Sequence, residues 1–385
     1  MKLPDGPADD LSARRSDMPH RERTLQQLRQ RAPEIRKLKG VVGLDGFVDK
    51  IVHPVAQRHG QGADFTPIGT IAEFGQRILA AAGKSTNIEL FPVLDKLGGN
   101  GPLMANGLMA GGLAVRYIGA LGKPAIHPLL QDFALRSEAV SVAEPSVTIA
   151  AEFSDGKIML GNTVSLDDVT YESVVAALGT ESLRAMIDQA ALVALVNWTM
   201  IPNMTALFRA LQERILPGLA PRKERVWFFD LADPEKRSRE DLVEALRVIA
   251  GFEAHGSVTL GLNLKEAQQV GVALGLTAHE PTETGLRAMA RGIRAELAIS
   301  TVVVHPKESA ACATASGEAW VPGPYTPKPK ITTGAGDHFN AGFVLGQLLG
   351  LSPEGCLTTG ASCSGYYVRT GQSPSLNDIE AFLHD

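Results

Sequence analysis

Four short apolar segments in the second half of the chain constrain the fold more than any other feature of the sequence. Helical patterns separate these segments from one another. A segment that is apolar without polar alternation is typical of a strand buried on both faces, and such strands joined by helices form parallel sheets. The sequence therefore predicts an α/β fold with a central, mostly parallel sheet and helices on both faces. The segments are residues 192–196, 226–230, 258–262 and 301–305.

The first half of the chain has a different pattern. Residues 41–44 indicate another buried strand, whereas residues 47–52 alternate between apolar and polar side chains, as in a strand with one exposed face. A hairpin is predicted over residues 147–160. We expect segments near 45–54 and 87–120 to form a small β lid inserted in the main domain.

The N-terminal residues 1–38 are polar and rich in arginine, with few apolar positions. Their spacing predicts one amphipathic helix over about 19–38 after a frayed start. We therefore divide the chain into an N-terminal extension, 1–38, and a single domain, 39–385.

Composition and charge exclude several classes of function. A net charge of −5 over 385 residues gives no basis for binding nucleic acid or an anionic membrane. Three cysteines without a metal-binding spacing predict a reducing compartment, with neither a disulfide framework nor a zinc site. No apolar run is long enough to span a bilayer, and no apolar signal region follows the first residues. These observations predict a soluble cytoplasmic protein.

The stretch TTGAGDHFNAG at residues 332–342 carries the strongest chemical signal. Its glycines allow a tight turn close to a ligand, and its threonines can cap the apolar helix that follows. The N–H groups of a first helical turn attract an anion, so Asp337 would lie beside a bound phosphate and accept a proton from an attacking hydroxyl. This arrangement suits phosphoryl transfer. The simpler interpretation is a capped helix in which Asp337 only favours the helix dipole.

The same stretch resembles the C-terminal signature of the ribokinase-like (PfkB) family of carbohydrate and nucleoside kinases, which reads D-T-x-G-A-G-D. The resemblance implies a ribokinase-like fold with a small β lid. It also implies that Gly334, Ala335 and Gly336 line an anion hole, that Asp337 is the catalytic base, and that Thr333 contacts the nucleotide.

A second element, Asn263 to Glu266, follows a predicted strand and opens a helix. It resembles the N-x-x-E element of the family, which helps to organise Mg²⁺ and phosphate. The two residues are one turn apart and can face the same cleft, where Mg²⁺ would prefer oxygen ligands. The alternative is a capping box, in which Glu266 bonds to the backbone of Asn263. Asp230, at the end of another strand, is expected to face the cleft near the phosphates or the metal, with ordinary turn chemistry as the alternative.

The sequence GGNGPLMA, before a predicted helix, resembles the N-terminal family signature G-G-x-x-x-N-x-A. The resemblance implies that Gly99 and Asn100 contact a polyol substrate. Leu103 stands where the family has a substrate-binding asparagine, which weakens any transfer of sugar identity. Asp45 and Asp49 flank the exit of the first strand, where family members carry an acid that binds substrate hydroxyls. The alternative is that Asp45 and Asp49 are two solvated acids of a turn.

Together these resemblances, over about 40–385, predict a kinase that uses ATP and Mg²⁺ to phosphorylate a hydroxyl of a sugar or sugar-like substrate. The nucleotide is expected near Lys307, Ser309 and Ser362, and the substrate under the lid. A homodimer through the lid would cover exposed lid strands. Two alternatives stay open, namely a nucleoside kinase of the same fold and a catalytically silent binding or regulatory protein.

Overall fold

The computed structural model describes residues 9–384, with side chains described from residue 20 onward. The β-strands, in chain order, are β1 (Lys39–Leu44), β2 (Phe47–Arg58), β3 (Phe65–Pro67), β4 (Leu90–Gly98), β5 (Ala114–Ala120), β6 (Val140–Ala143), β7 (Ser146–Phe153), β8 (Gly156–Asn162), β9 (Leu192–Leu195), β10 (Val226–Asp230), β11 (Ser257–Leu262), β12 (Thr301–Val304), β13 (Ser309–Thr314) and β14 (Gly317–Pro322). The α-helices are α1 (Asp9–Ile35), α2 (Ile71–Leu79), α3 (Asn100–Ala110), α4 (Gln131–Arg136), α5 (Tyr171–Leu178), α6 (Thr180–Gln189), α7 (Met204–Ala210), α8 (Arg239–Gly251), α9 (Leu264–Ala273), α10 (Glu283–Leu297), α11 (Ala335–Leu348), α12 (Pro353–Thr370) and α13 (Leu376–His384).

A nine-stranded sheet forms the centre of the described chain, in the order β14-β13-β12-β11-β10-β9-β1-β5-β6. The strands from β12 to β6 in that order are parallel, and β13 and β14 add an antiparallel edge. The four apolar segments are β9 to β12 and lie side by side. The predicted mostly parallel sheet is therefore confirmed.

Each face of this sheet has its own hydrophobic core. Val193 and Leu195 of β9 pack into one core with α5 to α10, whereas Leu192 and Ala194 pack into the other with α1, α3, α11, α12 and α13. Alternate side chains of a strand point to opposite faces, so a strand covered on both sides must be apolar throughout. This requirement explains why the strongest strand signals came from nearly continuous apolar runs.

A smaller sheet forms the lid. Within it β4, β2, β7 and β8 are neighbours in that order, and β3 pairs with the distal end of β2. The predicted lid segment 87–120 is wrong beyond β4, because α3 contacts α11 and β5 pairs with β1 in the large sheet. β5 is buried at five of its seven positions, which suits the inside of a covered sheet. The lid strands β7 and β8 come from the predicted hairpin, whereas β3 was not predicted.

The N-terminal helix α1 is longer than predicted and ends at Ile35 rather than near residue 38. Residues 1–8 of the predicted extension lie outside the described residues. Leu28 and Ile35 are fully or almost fully buried, and the guanidinium of Arg31 donates to the carbonyl of Leu349 at 2.7 Å. This segment of α1 is therefore packed against the C-terminal helices. Across residues 9–384, no helix has the combination of length and apolar character needed to cross a membrane.

Candidate active site

A cleft of about 430 Å³ lies at the carboxyl ends of β10, β11 and β12, beside the start of α11. Asp230 ends β10, Asn263 follows β11 and His305 follows β12, and all three line the cleft. Ligands of open α/β sheets bind outside the carboxyl ends of the strands, and the volume is within the range of small-molecule sites. The cleft is therefore the candidate active site.

The glycine-rich loop enters the cleft at the N-terminus of α11. Gly334, Ala335 and Gly336 all line the cleft. Gly334 has φ of 91°, and a Cβ there would lie 3.0 Å from both Leu103 Cδ1 and the hydroxyl of Tyr367, so only glycine suits this position. The N–H of Ala335 donates to the carbonyl of Thr332 at 3.2 Å. The first-turn N–H groups lack helical acceptors and carry the positive end of the helix dipole, which can bind an anion.

Asp337 lies in the first turn of α11 and is 8% exposed, and its Oδ1 accepts a hydrogen bond from Asn100 Nδ2 at 2.9 Å. Burial raises the pKa of Asp337 to about 8, the hydrogen bond from Asn100 lowers it, and the charges of Asp45 and Glu266 raise it further. A carboxyl with a pKa near the working pH can take a proton from a substrate hydroxyl. The structure thus brings Asn100, Asp337 and the glycine loop together.

Asp230 is a buried acid beside Asp337 and Glu266. Its Oδ2 accepts from Asn340 Nδ2 at 3.0 Å, whereas its Oδ1 has no hydrogen-bond partner among the described residues. Burial and the charges of Glu266 and Asp337 raise the pKa of Asp230 well above its usual value. A cation would relieve this repulsion. Among the described residues, no group of three or more histidine, cysteine, aspartate or glutamate side chains could hold a metal ion. An ion would therefore also need phosphate oxygens and water.

Asn263 and Glu266 form the capping box that the sequence left as an alternative, and both also line the cleft. Asn263 Oδ1 accepts from the N–H of Glu266 at 3.0 Å, and Glu266 Oε2 accepts from the N–H of Asn263 at 2.9 Å. Glu266 Oε1 accepts from the N–H of Asp233 at 2.9 Å. The carboxylate is therefore fixed by backbone donors while it faces the acidic part of the cleft.

Asp45 does not reach the cleft, contrary to its expected contact with substrate. It is fully buried, and its two carboxylate oxygens accept from the N–H groups of Gly101 and Asn100 at 2.8 and 2.9 Å, and from Asn197 Nδ2 at 2.6 Å. These donors occupy both oxygens, so Asp45 holds the start of α3 and thereby places Asn100. Gly99 does not line the cleft either. It precedes α3 with φ of 101°, and a Cβ there would lie 3.0 Å from Asp45 Oδ2.

Asp49 lies on the lid strand β2, almost fully buried and outside the lining of the cleft. Burial raises its pKa, whereas the charges of Lys96 and Lys157 and a hydrogen bond from Thr148 lower it. Lys157 of β8 in turn donates a hydrogen bond to the hydroxyl of Thr333 in the glycine loop. The lid therefore contacts the glycine loop through the charged side chain of Lys157. The sequence analysis missed Lys157, because no sequence pattern links residues so far apart.

The residues predicted for the nucleotide are only partly placed at the cleft. Lys307 and Ser309 line it, but Ser362 does not. On α12 the lining residues are Ala361, Ser364, Gly365 and Val368, which share one helical face, and Ser362 is buried on another. Thr333 also lies outside the lining and bonds to Lys157 instead.

Comparison with known proteins identifies the family. A family model described as prokaryotic ketohexokinase matches residues 19–385. The chain belongs to this family. The kinase is 27% identical to the ketohexokinase of Haloferax volcanii over 343 residues, which cover 88% of this chain and 89% of that protein. It is therefore a carbohydrate kinase that uses a nucleotide and transfers a phosphoryl group to an alcohol group of a sugar.

Solved structures confirm the ribokinase-like fold of the kinase. A ribokinase from Arabidopsis thaliana, solved with ribose and ATP, has a TM-score of 0.60 at 16% identity, covering 90% of this chain and 99% of that one. A carbohydrate kinase from Agrobacterium tumefaciens has a TM-score of 0.60 at 17% identity, covering 90% and 97%. A nucleoside kinase from Methanocaldococcus jannaschii has a TM-score of 0.60 at 13% identity, covering 90% and 98%.

Proposed function

We propose that this kinase transfers the γ-phosphoryl group of ATP to a hydroxyl of a ketohexose. One observation carries the proposal: the carboxyl of Asp337 and the glycine loop meet in the first turn of α11, inside the cleft. This places a proton acceptor beside an anion-binding helix terminus, which is what phosphoryl transfer to an alcohol needs. The ketohexose rests on the family model and on the ketohexokinase of Haloferax volcanii.

In this mechanism the substrate hydroxyl gives its proton to Asp337 as its oxygen forms a bond to the γ-phosphorus. The bond from that phosphorus to the bridging oxygen breaks, and ADP leaves. The backbone N–H groups of Gly334 and Gly336 bind the negative charge on the transferring group, because donors fixed in advance stabilise developing charge. The N–H of Ala335 would join them on exchanging the carbonyl of Thr332 for phosphate. Asn100 orients Asp337 and the sugar, and Lys157 adds a cation to the loop when the lid is closed.

The nucleotide would extend from the glycine loop towards Lys307, Ser309 and the lining face of α12. Lys307 is exposed and can reach phosphate oxygens. Thr333 would contact the nucleotide only after its hydroxyl exchanges Lys157 for phosphate. Closure of the lid over both substrates would exclude water, which otherwise accepts the phosphoryl group.

A magnesium ion fits the acidic end of the cleft. The unpartnered Oδ1 of Asp230 and the fixed carboxylate of Glu266 would hold it, together with phosphate oxygens, and Asn263 would fix Glu266. When bound, the ion would neutralise phosphate charge. This assignment accounts for a buried acid pair that burial and mutual repulsion otherwise disfavour.

Glu266→Gln is expected to raise the Mg²⁺ concentration needed for half-maximal activity, because an amide binds the ion or its waters less strongly than a carboxylate. The measurement is an Mg²⁺ titration of the rate at saturating ATP and sugar. Glu235→Gln, an exposed carboxylate paired with Lys265, serves as the matched control. A Glu266→Gln titration that superimposes on the wild-type titration would leave Glu266 with its capping role alone.

The substrate assignment is tested by ADP release over a panel of ketohexoses, aldohexoses, pentoses and nucleosides. We expect the highest kcat/KM for a ketohexose, because the family model and the curated relative both name this class. A nucleoside with a higher kcat/KM than every sugar would overturn the ketohexose assignment. Equal rates of ADP release with and without any acceptor would indicate simple hydrolysis.

We further propose that the kinase is a cytoplasmic homodimer that pairs through the lid. One apolar row runs across the lid sheet from Leu94 through Ile51 and Ala150 to Met159, and its outer members are 56% and 45% exposed. An exposed apolar sheet face favours association.

The cytoplasmic location is supported by the three cysteines, all described and all unpaired. Residues 39–385 would be the catalytic unit, and residues 1–38 would be an extension that packs against this unit through α1.

Met159→Glu is expected to convert the dimer to a monomer, because a buried unpaired carboxylate at the interface is strongly unfavourable. Sedimentation velocity at micromolar concentrations measures the change. Val272→Glu, at a 69% exposed apolar position on α9, is the control and should sediment like the wild type. A wild-type protein that sediments as a monomer would contradict the proposal.

A further inference from the structure

Side chains outside the cleft donate hydrogen bonds to two consecutive carbonyl groups of the glycine loop, those of Thr333 and Gly334. Tyr367 of α12 donates its hydroxyl to the carbonyl of Thr333 at 3.0 Å. His338 of α11 bonds through Nδ1 to the carbonyl of Gly334 at 2.7 Å. Neither side chain lines the cleft. We propose that His338 and Tyr367 are positioning residues that fix the loop for phosphoryl transfer, an inference that rests on the proposed anion-hole role of Gly334.

The contacts of His338 fix one form of its ring. Nδ1 bonds to the carbonyl of Gly334, which can only accept, so this nitrogen carries the proton. Nε2 lies 2.8 Å from the hydroxyl of Ser373 and accepts from it. The side chain is fully buried, and burial lowers the pKa of His338 to about 4. The ring is therefore neutral at ordinary pH, with both nitrogens satisfied.

Tyr367 is held against this ring. The two rings are stacked with centroids 3.6 Å apart and planes 12° apart. Burial, and to a smaller extent the charges of Asp337 and Asp49, raise the pKa of Tyr367 to about 12. The hydroxyl is therefore protonated and remains a donor to Thr333. His338, Tyr367 and Ser373 thus form one connected cluster on the side of the loop away from the cleft.

The effect of this cluster on the anion hole follows from peptide geometry. The carbonyl of Thr333 and the N–H of Gly334 belong to one planar trans peptide and point in opposite directions. Since Tyr367 holds the carbonyl outside the cleft, the N–H of Gly334 is directed towards it. The carbonyl of Gly334 is held twice, by His338 Nδ1 and by the backbone N–H of His338 at 3.0 Å. Both peptides that flank Gly334 are thereby fixed.

A fixed orientation matters because glycine restrains its own peptides poorly. Gly334, at φ of 91°, has no side chain to oppose a rotation of the peptide before it. Loss of one complete anion-hole donor lowers kcat by about 10²–10³-fold. Removal of one supporting hydrogen bond should let the donor misalign for part of the time, so we expect a loss of about tenfold.

The test uses Tyr367→Phe, which removes the hydroxyl and keeps the stacked ring. We expect kcat to fall about tenfold, and affinity for ADP with aluminium fluoride and sugar, a mimic of the transferring group, to fall by the same factor. Affinity for a non-hydrolysable ATP analogue and KM for sugar should stay within about twofold of the wild type. His338→Leu should show the same division, and His338→Asn, whose amide can donate to Gly334, should restore part of kcat.

Tyr366→Phe is the matched control, since Tyr366 is the adjacent residue of α12 and packs edge-on against Phe382. A Tyr367→Phe variant with wild-type kcat and wild-type affinity for the mimic would overturn the proposal. So would a loss of kcat that is matched by a loss of ATP-analogue binding or of folded protein. Gly334→Ala separates this result from failure of the anion hole. If it lowers kcat while Tyr367→Phe does not, only the positioning role fails, and if neither lowers kcat, the anion-hole assignment fails too.

Discussion

Asp337→Asn is expected to lower kcat by about 10²–10⁴-fold, the usual effect of losing a general base, while affinity for ATP stays unchanged. Asparagine is nearly isosteric, and Asn100 can still orient it, but an amide cannot accept the hydroxyl proton. The measurement is the steady-state rate together with calorimetric binding of an ATP analogue. Asp132→Asn, an exposed carboxylate paired with Arg136, is the control. Turnover within about threefold of the wild type would remove Asp337 from the role of base.

The same variant should be at least as stable as the wild type at pH 9. The folded-state pKa of Asp337, about 8, lies above its ordinary value of 3.8. The stability that this carboxyl contributes is therefore present below pH 4 and is lost as the pH rises through 8. Asparagine does not ionise, so the difference in melting temperature should shift in favour of the variant between pH 5 and pH 9. A shift in the opposite direction would show that the pKa of Asp337 is not raised.

The second large effect is on the pH dependence of the wild-type enzyme. Asp337 acts only as the carboxylate, so the rate measured with both substrates below their KM should rise with pH up to about 8 and then level off. Below that value we expect about a tenfold loss for each pH unit, or about 100-fold at pH 6. His338, with a pKa of about 4, does not change its charge in this window. A profile that is flat from pH 6 to pH 9 would contradict the raised pKa.

The large sheet was predictable because burial on both faces forces a simple pattern on the sequence. The segments that became β9 to β12 had no charged residue before their last position, and no other common structure gives four such segments separated by helices. The glycine loop was predictable for a similar reason. A position such as Gly334, with a positive φ and two side chains 3.0 Å from any added Cβ, admits no other residue.

Features that depend on tertiary contacts could not be predicted in the same way. β4 and β5 both fall in the segment that was expected to form the lid, but only pairing partners decide that β4 joins β2 in the lid and β5 joins β1 in the large sheet. Asp45 was expected at the substrate because it follows the first strand. Its burial results from donors on α3 and from Asn197, which come from distant parts of the chain.

Single residues of the site show the same limit. Ser362 was chosen on a helix whose rotation about its axis was unknown, and the lining face of α12 begins one residue earlier, at Ala361. The contact of Lys157 with Thr333 joins residues 176 positions apart and depends on how the lid closes. Glu266 satisfied two interpretations at once, because a capping box and a position at the cleft place no conflicting demands on one carboxylate.

The most direct test of the account follows the phosphoryl group itself. Wild-type enzyme and Asp337→Asn are each mixed in excess with ATP labelled at the γ-phosphate and with D-fructose, and the products are separated after a single turnover. The account predicts that the wild type transfers the label to the sugar in step with ADP formation, and that the variant retains bound ATP with at least about a 100-fold slower transfer. Transfer at the wild-type rate in the variant, or label that reaches water or a nucleoside but not the sugar, would contradict it.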